Sequence, residues 1–233
     1  MPPEGQTTRT RAWSAPKFFY FRPVACALHL PIRSRSTHPA MKCLVFAGST
    51  RQSSFNRRLA TVAAGLARAR GAEVTHLELA DFDIPLYNAD LEARGTPPDV
   101  IRFKQALVDH PAWIICTPEY NGSYPALLKN AIDWASSPVK TDPAWQDGLR
   151  PFRGKVVGML SASPGALGGL RAQSHLAPLL LNLQCWVAPR AHAISRAADA
   201  FDPQGQLRDP ATTAAVEAVI AQVLDAAARL TPA

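Results

Sequence analysis

The stretch KCLVFAGSTRQSSFN, residues 42–56, joins a short apolar run to a polar loop. Lys42–Ala47 ends at Gly48, and such a run is typical of a buried parallel strand. From Asn56 to Arg70 the apolar residues recur with the i, i+3, i+4, i+7 spacing of a helix. The loop between strand and helix carries hydroxyls, amides and Arg51 but no carboxylate, which predicts a seat for an anion.

The same alternation of strand and helix continues along the chain. Strands are predicted at 42–47, 73–79, 112–118, 155–163 and 185–189, and helices at 56–70, 100–107, 126–136, 171–183 and 210–230. The pattern therefore predicts an α/β fold, a doubly wound five-stranded parallel sheet with helices on both faces. Segment 137–154 is predicted to be a long insert and segment 192–209 a loop.

The positive charge of the chain lies mostly in its first forty residues. The net charge is +7, with 25 Lys and Arg against 18 Asp and Glu, and residues 1–40 contain six Lys or Arg and one Glu. The remaining 19 basic and 17 acidic residues give only +2, so a nucleic-acid partner is not expected. We expect residues 1–40 to be a disordered tail. Two alternatives are an organelle transit peptide and a natural start at Met41.

The cysteines argue against a metal site, and the apolar runs argue against a membrane-spanning protein. Cys26, Cys43, Cys116 and Cys185 lie far apart without CxxC spacing, which indicates reduced, buried thiols and no metal site. No run approaches the ~20 apolar residues of a membrane span. The sequence therefore predicts a cytoplasmic protein without a membrane partner.

Three loops leave the predicted carboxyl ends of strands, where open parallel sheets bind ligands. They are 48–56 (GSTRQSSFN), 117–125 (TPEYNGSYP) and 161–171 (SASPGALGGLR). The first lacks both GxGxxG and GxxxxGK[ST], so a mononucleotide phosphate is favoured over a dinucleotide or a nucleoside triphosphate. Its candidate phosphate donors are Ser49, Arg51, Ser53, Ser54 and Asn56. The alternative is simple helix capping by Ser53 or Ser54.

The three loops together resemble the NADPH-dependent FMN reductase family, most specifically in PEYNGSYPALLKNAIDW at 118–134. The resemblance implies a flavodoxin-like domain over residues 41–233 that binds FMN, with its phosphate on the first loop. It implies that the isoalloxazine ring is bordered by Pro118, Glu119, Tyr120, Asn121 and Gly122 and, at its other edge, by Ser161, Ser163 and Gly165.

The resemblance also implies an activity. We expect a homodimer or homotetramer that uses NADPH or NADH to reduce a small-molecule electron acceptor, such as a quinone, chromate, an azo compound or free flavin, by a ping-pong mechanism. No catalytic acid–base pair is expected, since the flavin carries the redox chemistry. Two alternatives are a flavodoxin-type electron carrier and a regulatory domain without FMN. Asp81, Asp83, His175 and Cys116 are interpreted as structural residues.

Overall fold

The computed structural model describes residues 40–231, so the predicted tail lies outside the described residues except for Ala40. Within this range the strands are β1 Lys42–Ala47, β2 Glu73–Leu77, β3 Ala112–Cys116, β4 Val156–Ala162, β5 Trp186–Val187 and β6 His192–Ile194. The helices are α1 Phe55–Ala69, α2 Ala89–Ala93, α3 Pro98–Asp109, α4 Ala126–Ser136, α5 Leu170–Asn182, α6 Ala197–Ala200 and α7 Pro210–Leu230.

The strands form one sheet in the order β2-β1-β3-β4-β5, and β6 also pairs with β4. Every pairing between them is parallel. This is the flavodoxin-like strand order, in which the chain reverses direction across the sheet between β1 and β3. The predicted doubly wound α/β fold is confirmed, and the reversal places a ligand crevice at the carboxyl ends of β1 and β3.

The two faces of the sheet are covered by different helices. Along β1, Cys43 and Val45 belong to one core cluster, together with buried residues of α1 and α7. Leu44 and Phe46 belong to the other cluster, with buried residues of α3, α4 and α5. Successive side chains of a strand point to opposite faces, so a strand that is apolar throughout needs helices on both sides.

The fifth strand position differs from the prediction. It is filled by two pieces, β5 and β6, because β4 pairs Val157 with Val187 and then Leu160 with His192. Four residues, 188–191, therefore stand opposite only two residues of β4, and this bulge interrupts the ladder. The prediction of a loop over 192–209 is wrong where it covers β6 and α6, because the short β6 lacks an extended apolar run.

Helix α7 is, among the described residues, the one helix long and apolar enough to cross a membrane by length and composition. Its residues Val216, Val219, Ile220 and Val223 are buried in the same core cluster as α1 and β1. A helix that buries one face against a sheet meets this length and composition test without spanning a membrane. The packing therefore assigns α7 to the core of this domain.

The insert at 137–154 packs onto the domain through a buried lysine. Lys104 of α3 is fully buried, and its Nζ donates to the carbonyl oxygens of Ala135 at 3.0 Å and Ser137 at 2.5 Å. The ammonium group also lies 5.8 Å from the centre of the buried Trp145 ring. A cation at the carboxyl end of α4 is favoured by the helix dipole, so Lys104 anchors the start of the insert.

Lys104 should make stability depend on pH. Burial lowers its pKa from 10.5 to about 8, so the unfolded chain holds this proton more tightly than the folded protein. Raising the pH from 8 to 9 should therefore increase the free energy of unfolding, with Lys104 contributing about 1 kcal/mol. Urea titrations at the two pH values measure this increase, and Lys104→Met should show a smaller one. An equal increase in the variant would contradict the assignment.

Candidate functional site

The three predicted loops meet at one edge of the sheet. The N–H of Gly48, after β1, donates to the Cys116 carbonyl at 3.0 Å, and the N–H of Thr117 donates to the Leu160 carbonyl at 2.9 Å. These bonds bring the ends of β1, β3 and β4 into line. A cleft opens between the loops, lined by Arg51, Ser54, Phe55, Asn56, Pro118, Glu119, Tyr120, Ala162, Ser163 and Pro164.

The cleft collects about half of the predicted site residues. Seven line it: Arg51, Ser54, Asn56, Pro118, Glu119, Tyr120 and Ser163. The other six lie in the same loops but outside its wall: Ser49, Ser53, Asn121, Gly122, Ser161 and Gly165. The enclosed volume is about 70 Å³, well below the ~300–1,000 Å³ of pockets that surround a ligand. It suits one small group, and a larger ligand would extend along its open side.

The first loop delivers the amino end of α1 to the cleft without any acidic residue. Ser54 is the N-cap residue, yet its side chain makes no capping hydrogen bond, and the first turn of α1 contains no carboxylate. The alternative of helix capping is therefore wrong for Ser54. In the loop before it, the Ser49 hydroxyl accepts the N–H of Arg51 at 3.4 Å. The free N–H groups and the helix dipole favour an anion here.

Arg51 gives this end of the cleft its charge. Its Nη2 donates to the Ser53 carbonyl at 3.2 Å, and its guanidinium lies 6.0 Å from the centre of the Phe55 ring. Within residues 40–231, Arg51 forms no ion pair, whereas Arg57 is paired with Glu78 at 2.8 Å. Arg51 therefore keeps most of its donors for a ligand, and a phosphate can accept two of them at once.

Asn56 joins the first loop to the end of β4. Its Nδ2 donates to the Ala162 carbonyl and its Oδ1 accepts the Ala162 N–H, both at 2.9 Å. The two residues are 106 positions apart, and Asn56 is buried. These two bonds fix the distance between two walls of the cleft. They use one of the two Nδ2 hydrogens, so the role of Asn56 as a phosphate donor stays a prediction.

The replacement Asn56→Asp should destabilise the protein. The aspartate can still accept the Ala162 N–H, but it no longer donates to the buried Ala162 carbonyl. An unsatisfied buried acceptor costs about 1–3 kcal/mol, and urea denaturation at pH 7 should show this loss. Because a protonated aspartic acid can donate to the carbonyl again, the loss should shrink as the pH is lowered towards 5. A loss independent of pH would contradict this role of the amide.

The loop after β3 turns back on itself at Asn121 and Gly122. Both residues have positive φ, 50° and 78°. On either side, the N–H of Tyr120 donates to the Ser123 carbonyl at 2.9 Å and the N–H of Ser123 donates to the Tyr120 carbonyl at 3.0 Å. This is a type I′ turn, the geometry that Asn-Gly prefers. It leaves Tyr120 54% exposed beside the cleft.

Glu119 is held by Arg171 of α5. Its Oε1 accepts from Arg171 Nε at 2.7 Å and also contacts Nη2, while its Oε2 accepts the backbone N–H of Arg171 at 3.1 Å. The Glu119 side chain is only 8% exposed. Burial by itself would raise the pKa of this carboxyl, but the hydrogen bonds and charge of Arg171 hold the pKa below its ordinary value. Glu119 is therefore a paired carboxylate.

Ser161 lies beneath the loop that follows β4. It is fully buried, its hydroxyl donates to the Gly168 carbonyl at 2.8 Å, and it accepts from Gln173 Nε2 at 2.8 Å. A Cβ at Gly169 would lie 2.7 Å from Ser161 Cβ. The hydroxyl is thus committed to internal bonds. The sequence predicts Ser161 at a ring edge, but its position makes it a support for the loop.

The outer part of the same loop faces the cleft. Ser163 lines it, and the Ser163 hydroxyl accepts the Gly165 N–H at 3.3 Å. Three residues that sequence reasoning missed also line the cleft: Phe55, Ala162 and Pro164. Phe55 stacks on Phe201, with ring centroids 6.3 Å apart, which closes one end. Each of the three adjoins a predicted residue, so position in the loop was the available signal.

The residues interpreted as structural lie away from the cleft wall. Cys116 is fully buried in β3, and burial raises the pKa of its thiol, which disfavours redox work. His175 Nδ1 lies 3.2 Å from the Ser123 hydroxyl. Asp81 lies in a short 3₁₀ turn, Leu79–Asp81, beyond β2. Among residues 40–231, no three His, Cys, Asp or Glu side chains are grouped to hold a metal ion.

Known proteins are similar to this chain in sequence. Residues 41–199 match the model of the NADPH-dependent FMN reductase family. An NAD(P)H-dependent FMN reductase of Pseudomonas aeruginosa is 41% identical over 171 residues, covering 72% of this chain and 85% of that protein. A quinone reductase of Pseudomonas putida is 37% identical over 168 residues, covering 71% and 83% of the two chains.

A solved structure is also similar to this chain in its fold. The flavoenzyme FerB of Paracoccus denitrificans, an NAD(P)H:(acceptor) oxidoreductase, superposes with a TM-score of 0.67 at 30% identity. The match covers 82% of this chain and 99% of FerB. The family model, which matches residues 41–199, takes in all three loops that border the cleft.

Proposed function

Because the chain belongs to the NADPH-dependent FMN reductase family, we propose that it binds FMN at this cleft and uses NAD(P)H to reduce a quinone. Similar proteins include an FMN reductase, a quinone reductase and an NAD(P)H:(acceptor) oxidoreductase. The activity is thus an oxidoreductase activity. Chromate, azo compounds and free flavin remain further candidate acceptors.

The observation that carries the proposal is the unpaired amino end of α1. Ser54 makes no capping bond there, no acid is present in the first turn, and Arg51 has no carboxylate partner among the described residues. A phosphate ester would accept the free N–H groups of the helix and pair with Arg51. The enclosed part of the cleft is small enough for one such group. We assign Ser49, Arg51, Ser53, Ser54 and Asn56 to this end.

The ring of the cofactor would lie along the open side. FMN, when bound, supplies hydride acceptance and electron delivery. Pro118, Glu119 and Tyr120 would border one side of the ring, with the backbone N–H groups of Asn121 and Gly122 near it. Ser163 and Gly165 would border the other side. Preorganised N–H groups stabilise negative charge that develops beside them, which is the role we assign to the turn. Asn56 and Ser161 keep these walls in place.

One cleft must serve both substrates. The three loops border a single opening, so NAD(P)H and the acceptor would approach the ring from the same open side and bind in turn. We therefore expect ping-pong kinetics, with parallel lines in double-reciprocal plots at several acceptor concentrations. Exposed Tyr120 offers an aromatic surface for the nicotinamide or the quinone.

An absorbance scan of the purified protein, followed by anaerobic titration with NADPH, tests the proposal. Yellow protein that is bleached by NADPH and regains its colour with a quinone is the expected result. Protein that holds FMN but reacts slowly with NADPH would instead indicate a flavodoxin-type carrier. Protein that stays colourless after incubation with FMN would indicate a regulatory domain on the same fold.

We also propose a homodimer or homotetramer. Several apolar side chains are exposed at the same edge of the sheet: Leu86 (81%) and Leu167 (50%) on loops, and Leu170 (53%) at the start of α5. A second copy seated there would cover this surface and border the open side of the cleft. Light scattering coupled to size exclusion measures the mass. A monomer with bound FMN would contradict the oligomer without affecting the site.

Two further assignments concern the protein in the cell. Cys43, Cys116 and Cys185 are free and buried, which suits the reducing cytoplasm that we propose as its location. We place the flavin-binding domain at 41–233, so a protein that begins at Met41 should bind FMN as the full chain does. A loss of FMN binding on this truncation would show that residues 1–40 take part.

A further inference from the structure

Helix α5 cannot cap its own amino end. Its N-cap residue is Gly169, with φ of +96° and no side-chain hydrogen bond. A side chain at this position would collide with Ser161, because the Cβ would lie 2.7 Å from Ser161 Cβ. The first N–H groups of a helix need acceptors from outside the helix. For α5 the acceptor must come from another part of the chain.

Glu119 supplies that acceptor. Its Oε2 accepts the backbone N–H of Arg171 at 3.1 Å, and its Oε1 accepts from Arg171 Nε at 2.7 Å. The two residues are 52 positions apart, on the loop after β3 and at the start of α5. A carboxylate at the amino end of a helix is favoured by the helix dipole. The Glu119 side chain thus caps α5 and joins the loop after β3 to this helix.

The same helix contacts the far side of the turn. His175, one helical turn after Arg171, places Nδ1 3.2 Å from the Ser123 hydroxyl. Ser123 in turn closes the type I′ turn through its two backbone bonds with Tyr120. The turn that contains Asn121 and Gly122 is therefore held at both ends by α5, by an ion pair before it and a hydrogen bond after it.

We propose that Arg171 is a positioning residue for flavin reduction: through Glu119 it fixes the turn 120–123 at its place beside the ring. The proposal rests on the proposed function, since it assumes FMN in the cleft. Glu119 lines the cleft and is tied to Arg171, whose own side chain is 60% exposed and outside the wall. A shift of about 1 Å in a positioning group can slow a reaction up to ~100-fold, so a loosened turn should slow hydride transfer.

The test compares Arg171→Ala with wild type in anaerobic stopped-flow reduction by NADPH. The backbone N–H of residue 171 still reaches Glu119, so α5 stays capped and the variant should fold. We expect the rate constant of flavin reduction to fall roughly tenfold. The dissociation constant for FMN should change less than threefold, and the visible circular dichroism of the bound flavin should change. Arg171→Lys should recover part of the rate.

Arg153→Ala is the matched control. Arg153 also pairs with a carboxylate, Asp147 at 2.7 Å, and is 54% exposed, but it lies in the insert. Its removal should leave the reduction rate unchanged. A rate within twofold of wild type for Arg171→Ala would overturn the proposal, as would a fall that only matches lost FMN. Wild-type protein that NADPH does not reduce would instead overturn the proposed function.

Discussion

Arg51→Ala should weaken FMN binding by about 10- to 100-fold while the protein stays folded. A hydrogen bond between charged groups contributes about 1.5–3 kcal/mol, and each 1.4 kcal/mol is a factor of ten in affinity. Arg51 lines the cleft and is exposed, so its removal leaves no cavity in the core. Fluorescence titration of the apoprotein with FMN measures the dissociation constant directly.

Arg58→Ala is the control for that experiment. Its guanidinium lies 5.9 Å from the Phe55 ring, against 6.0 Å for Arg51, so both arginines contact the same aromatic side chain. Arg58 does not line the cleft. Its removal tests the effect of net charge alone, and affinity should fall much less. Equal losses in the two variants, or none for Arg51→Ala, would place the phosphate elsewhere.

Gly169→Ala should lower the free energy of unfolding by about 2–4 kcal/mol. Two effects add: alanine is strained at a φ of +96°, which costs about 1 kcal/mol, and its Cβ would meet Ser161 Cβ at 2.7 Å, which costs about 1–3 kcal/mol as overpacking. Ser161 also bonds Gln173 at 2.8 Å, so the collision should disturb the loop beside the cleft. Urea denaturation measures the loss of stability, and titration with FMN shows whether the disturbed loop also lowers the affinity for FMN.

Gly205→Ala separates the two effects. Gly205 also has positive φ, +80°, but nothing lies within 4 Å of a Cβ built there. Only the backbone strain applies, so the loss should be near 1 kcal/mol, with FMN affinity unchanged. If both variants lost the same stability, the contact with Ser161 would not be what requires glycine at 169.

What the sequence could predict about the site follows from short local stretches. Asn121-Gly122 predicts a tight turn because these two residues tolerate positive φ. The carboxylate-free loop at 48–56 predicts an anion seat because the helix dipole acts on its immediate neighbours. These properties follow from short stretches of chain, and they hold whatever the rest of the chain does.

The parts that it missed depend on distant partners. The bonds between Asn56 and Ala162 join residues 106 positions apart. The capping of α5 by Glu119 joins residues 52 positions apart. Such pairs become visible only when the order of the strands is known, because parallel crossovers bring remote loops together. The split of the fifth strand is similar, since only the pairing with β4 reveals β6.

That split has a consequence for how copies of this chain can meet. An intact border strand presents a continuous row of unsatisfied backbone groups, on which a neighbouring molecule can build a cross-molecular sheet. Here β5 has two residues and β6 three, and Pro189, which lacks an N–H, stands between them. A strand of another molecule finds no continuous edge to pair with on this side of the sheet, which disfavours fibril growth from this edge. Copies that meet at this edge would therefore associate through side chains.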